Sequence, residues 1–245
     1  MAHDRAIERS LLICFVARSG SWFLSGLLAS TGVAGRPSEA FFPRIEEEAR
    51  VAHSLETDRD YLEWVLQDGS TANGAFGCKL MWSELQDVLG RLRRIDGEES
   101  EARLMAGAFP NPRYVWLRRR DVVAQAVSWA RALQTQQWQS YRSPVGEPRF
   151  DFAEIDGLVG LVKDEEEAWA TWFETNDIAA VQVFYEDLLA DPFREVSRIV
   201  ATLGLELPGT AELRPYPGFD RQADAVSADW CERYHVQSAS GPTGA

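Results

Sequence analysis

Residues 11–31 read LLICFVARSGSWFLSGLLAST, and this stretch decides the fold. An apolar run, 11–16, stops at a small, polar, basic turn, Ala17-Arg18-Ser19-Gly20-Ser21, and apolar residues return at Trp22, Phe23, Leu24, Leu27 and Leu28. That pattern reads as a buried strand, a tight loop and a helix. A strand feeding a helix through Ser and Gly leaves free backbone N–H groups at the positive helix end, where phosphate or sulfate binds readily. Arg18 adds a fixed charge beside them. The loop alone is equally compatible with an ordinary βα turn.

The residues before position 11 mix acidic and basic side chains, Arg18 interrupts the apolar run, and no small-x-small cleavage pattern follows. A secretory signal is therefore not expected. No later segment approaches the roughly 20 apolar residues that span a bilayer. The expectation is a soluble, cytoplasmic protein with no membrane insertion. At 245 residues and 45% hydrophobic content, the chain can bury a core as one α/β domain over 1–245, with residues 1–9 and 237–245 expected as tails. A net charge of −13 argues against a general nucleic-acid binder, so any positive field must be local. Lysine occurs only at positions 79 and 163, which makes Lys79 worth weighing. Cys14, Cys78 and Cys231 form no metal spacing, and their odd number disfavours a disulfide framework. Most of the nine Trp are expected in the core, some lining a pocket.

Alternating apolar runs and helical patterns suggest a three-layer fold, a central parallel sheet flanked by helices. Residues 32–35 read as a short second strand, 58–68 as a helix, 76–81 as a strand and 83–93 as a helix. A strand at 114–117 ends in Arg118-Arg119-Arg120, and Asp121 is placed to cap the following helix, DVVAQAVSWARAL. The polar stretch 134–151 carries Gly and two Pro and reads as a mobile loop or lid. A helix over 158–175, a strand over 180–185 and a helix over 193–203 complete the pattern.

In open parallel sheets, ligands bind at the carboxyl edge of the strands. The loop at 18–21 is expected there, and so is the Arg triplet, immediately ahead of a helix N-terminus. On that helix Asp121, Gln125, Ser128 and Ala132 share one face, so Arg119, Gln125 and Ser128 can address one anion. Surface ion pairs are the competing reading of the triplet. Two anion sites at neighbouring strand ends suggest a ligand with two separate phosphates. None of His3, His53 and His235 adjoins a motif, so a group-transfer enzyme would need a carboxylate base, and Glu39 is the best placed. Lys79, inside an apolar strand, costs burial energy unless it finds an anion or snorkels to an edge. The loop is not a standard phosphate-binding loop, because Gly20 is followed by Ser21-Trp22 in place of Lys-Ser/Thr, and no strand ends in the Asp that would hold Mg²⁺.

The motifs RSGS at 18–21, GRPSEAFF at 35–42, GCKLMW at 77–82, RRDVVAQAVS at 119–128 and RQAD at 221–224 with Trp230 occur in one order. In that order the chain resembles the bacterial trehalose 2-sulfotransferase family over about residues 10–235. The resemblance implies a sulfotransferase variant of the P-loop nucleoside-kinase fold. It also implies 3′-phosphoadenosine 5′-phosphosulfate (PAPS) as donor, with PAP as the product left after transfer. By resemblance Arg18, Ser19, Gly20, Ser21 and Trp22 cradle the 5′-phosphosulfate, and Arg119 and Ser128 take the 3′-phosphate. Arg221, with Gln222 and Ala223, comes from a C-terminal loop that closes over the donor, Tyr185 contacts the adenine, and Glu39 matches the family's catalytic base.

Trp22 departs from the pattern. Relatives usually carry a Thr whose hydroxyl helps to bind the 5′-phosphate, a hydrogen bond worth roughly 1.5–3 kcal/mol. Arg120 replaces a Pro, and the region around 43–72 is shorter. The expected reaction is in-line transfer of a sulfuryl group to a hydroxyl, with Glu39 as base and Arg18, Lys79 and the loop amides stabilising negative charge, without a metal. The acceptor is expected among small sugars, glycolipids and secondary metabolites, a neutral one being favoured by the acidic surface. A homodimer is a further expectation from the resemblance. The rival readings are a PAP-binding protein impaired by Trp22 and a nucleotide-dependent kinase.

Overall fold

The apolar runs become strands because both faces of the sheet are covered, so each run is buried without alternation. The computed structural model describes residues 6–138, 143–209, 211–216 and 224–240. In chain order the elements are β1 (Arg9–Phe15), α1 (Ser21–Ser30), α2 (Pro43–His53), α3 (Asp58–Asp68), β2 (Ala75–Met81), α4 (Trp82–Asp96) and α5 (Glu101–Ala108). They continue with β3 (Pro112–Arg118), α6 (Val122–Thr135), α7 (Phe152–Thr175), β4 (Val181–Phe184), α8 (Tyr185–Ala190), α9 (Pro192–Thr202) and α10 (Ala225–Ala239).

The four strands form a wholly parallel sheet in the order β2-β1-β3-β4. Central β1 pairs Leu12 with Cys78 on one side and with Tyr114 on the other. Parallel pairing needs crossover helices, and it brings all the strands' carboxyl ends to one edge. Leu11, Ile13 and Phe15 of β1 pack with Leu24, Leu27 and Leu28 of α1 and Val196, Ile199 and Val200 of α9. Leu12 and Cys14 point to the other face, into a core with Phe76, Cys78, Tyr114, Leu85, Leu89, Trp169 and Phe173. A third cluster joins α6, α7 and α10 through Ala126, Val127, Ile155, Trp230 and Tyr234. The architecture is thus the expected α/β fold of three layers.

Residues 32–35 form a turn and not a strand. Gly35 has φ +77°, and a Cβ there would lie 2.2 Å from the Gly77 nitrogen, so the chain crosses β2 too closely for a ladder. The contact with β2 comes later, as a single parallel bridge from Ser38 to Cys78. Helix α7 begins at Phe152, ahead of the expected 158, because Asp151 caps it by accepting the Glu154 N–H at 3.0 Å. Flanking the expected lid, the Val145 N–H donates to Thr135 O (2.8 Å) and the Arg149 N–H to Gln134 Oε1 (2.7 Å); positions 139–142 lie outside the described residues. Helix α10 runs to Ala239, so residues 237–239, expected in a tail, are its last turn. Among the described residues no helix is long and apolar enough to cross a membrane.

Candidate active site

The loop after β1 is built from unusual backbone. Arg18 (φ 65°) and Gly20 (φ 92°) both adopt the left-handed conformation, which turns successive amides toward one side. For Arg18 that conformation carries a strain of about 1 kcal/mol or more, of the kind that persists at functional sites. Gly20 is required twice over, since a Cβ would also fall 2.3 Å from a ring carbon of Tyr185. Gly20 is the N-cap of α1 and provides no side-chain cap, so the first-turn amides of Ser21 and Trp22 have no intrahelical acceptor. Ser19 Oγ is buried without a partner among the described residues. Unsatisfied donors at a positive helix end are what a phosphate or sulfate oxygen needs, so the residues present fit a phosphosulfate.

Glu39 and Lys79 come together beside this loop. The chain from Gly35 to Ser38 is laid against β2: the Arg36 and Gly77 N–H groups both donate to Gly69 O (2.8 and 3.0 Å), and the Lys79 N–H donates to Ser38 O (2.9 Å). The Tyr61 hydroxyl fixes the next turn by donating to Ala40 O. Glu39 Oε1 then sits 2.7 Å from Lys79 Nζ, an ion pair whose angles fall outside hydrogen-bond geometry. The Lys79 side chain is 1% exposed and that of Glu39 28%, so the carboxylate is reachable while the ammonium is enclosed. Lys79 does not snorkel to an edge. Its Nζ lies 5.4 Å from the Phe15 ring centroid and 5.3 Å from that of Trp22.

The Arg triplet divides. Arg118 is paired with Glu166 (2.5 Å), and Arg120 forms a bidentate pair with Asp187 (2.8 and 2.7 Å). The surface-ion-pair reading thus describes those two. Arg119 forms no ion pair among the described residues; its guanidinium lies 5.1 Å from the Tyr185 ring centroid, and its Nε is buried without a partner. Arg18 reaches the same place, donating through Nε to Ser128 Oγ (3.0 Å) and through Nη1 to Trp138 O (2.8 Å). Burial first, and then repulsion from Arg119, push the Arg18 pKa down to about 10. Two neighbouring guanidiniums, one of them unpaired, are a field that an anion relieves.

Gln125, expected to face the anion, also holds the loop. One N–H of its amide donates to Ala17 O at 2.7 Å, which tethers the loop after β1 to α6, while its Oε1 has no partner among the described residues. Arg221, Gln222 and Ala223 lie outside the described residues. The neighbouring Asp224 is held by Arg131 (2.6 and 2.9 Å), whose guanidinium draws the carboxyl pKa down to about 2.

One buried carboxylate was missed by sequence reasoning. Glu84, in the first turn of α4, accepts the Met81 N–H at 3.0 Å, while its Oε1 has no partner among the described residues. Burial raises its pKa to about 7, Glu39 adding to the rise and Lys79 opposing it. Its signal in the sequence is position, three residues after Met81, the last residue of β2. Among the described residues no group of three His, Cys, Asp or Glu is gathered to hold a metal ion.

Comparison with known proteins bears on this arrangement. A family model described as Stf0 sulphotransferase matches residues 10–237. A trehalose 2-sulfotransferase of Mycolicibacterium smegmatis is 31% identical, over 91% of this chain and 93% of that one. A protein of the same name from Mycobacterium tuberculosis is 29% identical, over 96% of this chain and 97% of its own. The match runs from the first strand through the last helix and includes every motif named above, and the chain belongs to the Stf0 sulphotransferase family, a family of transferases.

Proposed function

We propose that the protein transfers the sulfuryl group of PAPS to a hydroxyl of a small, neutral acceptor such as a sugar. The observation that carries this reading is the Glu39–Lys79 pair, 2.7 Å apart, beside an uncapped helix N-terminus and two neighbouring guanidiniums. The loop amides and Arg18 hold the phosphosulfate, and Arg119 holds the 3′-phosphate with the Tyr185 ring against the nucleoside. Ser128, which accepts from Arg18, adds its hydroxyl as a donor. The acceptor oxygen attacks sulfur from the side opposite the bridging oxygen; the S–O bond to the 5′-phosphate breaks, and the electron pair leaves on PAP. Glu39 takes the hydroxyl proton. As its charge is neutralised, Lys79 is released from the ion pair to the charge growing on the sulfuryl and bridging oxygens. The gain comes from positioning and preorganised charge.

Trp22 is engaged by Lys79 and Tyr216, which supports the catalytic reading over an impaired donor site. Free Cys14, Cys78 and Cys231 fit a reducing, cytoplasmic setting. The test is transfer of ³⁵S-sulfuryl from labelled PAPS to trehalose and to a panel of glycolipid and hydroxylated acceptors. Glu39→Gln is expected to lower turnover roughly 100-fold or more while PAP still binds. Near-normal turnover in that variant removes Glu39 from the role.

A further inference from the structure

Trp22 stands in the first turn of the helix whose amides face the donor, yet its ring is turned to the reacting end of the site. The indole lies 5.3 Å from the Lys79 ammonium, and the Phe15 ring lies 5.4 Å from the same atom. Tyr216 braces the indole, with ring centroids 4.7 Å apart at 46°. Tyr216 is itself fixed: its hydroxyl donates to Pro37 O at 3.3 Å, and its nitrogen would meet a Cβ on Gly26 at 2.2 Å. Pro37 belongs to the strip that carries Glu39, so one run of contacts joins Glu39, Lys79, Trp22, Tyr216 and back to Pro37.

An enclosed ammonium must be compensated by charge or by oriented dipoles. Glu39 supplies the charge, and the two π-faces supply attraction that an aliphatic wall would not. We infer that Trp22 is a positioning residue: with Phe15 it forms an aromatic collar that holds the Lys79 ammonium at Glu39, where the sulfuryl group is transferred. This rests on the proposed donor. It follows that Trp22 acts on the sulfuryl end and leaves the phosphates of PAP to the loop amides, Arg18 and Arg119. A Trp at this position strengthens the hold on sulfur where a threonine hydroxyl would have addressed phosphate.

The full chain, with Trp22→Leu and Trp22→Phe, is titrated calorimetrically with PAP and with PAPS. Trp22→Leu is expected to weaken PAPS about tenfold while PAP changes by less than about twofold, and Trp22→Phe to recover most of the loss. A parallel fall for both ligands, or an unchanged PAPS affinity, overturns the inference, because a merely structural role does not separate them. A second readout needs no ligand. With lysine only at positions 79 and 163, ¹³C-lysine labelling gives two side-chain signals, assigned through Lys163→Arg. The Lys79 ε-protons are expected upfield from ring currents, to move downfield in Trp22→Leu and to stay upfield in Trp22→Phe. A Lys79 signal unmoved in Trp22→Leu overturns the collar. If the wild-type chain binds neither nucleotide, the donor reading fails, and the lysine signals still decide the collar.

Discussion

At the residue scale, the site brings three ionisable groups together at the end of β2: Glu39, Lys79 and Glu84. Glu84 is the one whose titration is set by the fold. Its folded-state pKa of about 7 lies above the ordinary 4.5, so the native state binds more protons than the unfolded chain between those values. Stability is therefore lost as pH rises from about 4.5 through 7. Glu84→Gln keeps an acceptor for the Met81 N–H and removes that loss. Its advantage over wild type in denaturant unfolding should grow from near zero at pH 4.5 to roughly 2–3 kcal/mol at pH 8; a gap independent of pH would contradict the assignment. Glu39 and Lys79 were legible in the sequence for chemical reasons, the first because no histidine adjoins a motif, the second because a lysine inside an apolar strand needs an anion. That they pair with each other was not legible, since it depends on Ser38 bridging to β2. The commitment of Gln125 to Ala17 was hidden likewise, because helical spacing gives the face of a side chain and not its partner.

At the element scale, α6 and α10 are joined by the Arg131–Asp224 pair, in which Asp224 also caps α10. The Asp224 side chain is about half exposed, so solvent screening limits the pair to about 1 kcal/mol or less. Because the Asp224 pKa is depressed from 3.8 to about 2, this contribution is present above pH 4 and disappears as pH falls toward 2. Arg131→Ala should thus destabilise the protein slightly at neutral pH, with the difference narrowing below pH 4 in a melting series; a constant gap would mean that packing alone joins the two helices. Strands β1, β2 and β3 were readable because burial on both faces leaves unbroken apolar runs. Residues 32–35 look similar locally, but the close approach at Gly35 prevents pairing. Helix α10 was not read because it buries only Trp230 and Tyr234, too few for a periodic stripe. Helix α2 buries only Ala49 and escapes for the same reason.

At the scale of the whole molecule, a chain of net charge −13 gathers Arg18, Lys79 and Arg119 along the carboxyl edge of one parallel sheet. The neighbours of Arg119, namely Arg118 and Arg120, are neutralised by carboxylates on α7 and α8, which leaves the positive field local. The proposed donor is a compact ligand with phosphates at two points, one on the loop after β1 and one on the start of α6. Thermal unfolding with PAP, with AMP and with ATP plus Mg²⁺ tests that arrangement most directly. A ligand at 100 times its dissociation constant adds about 2.7 kcal/mol, a rise of roughly 5–10 °C for a domain of this size. That rise is expected with PAP and little with AMP, which lacks the 3′-phosphate. An unchanged melting temperature with PAP, or an equal rise with AMP, would contradict the paired-phosphate site.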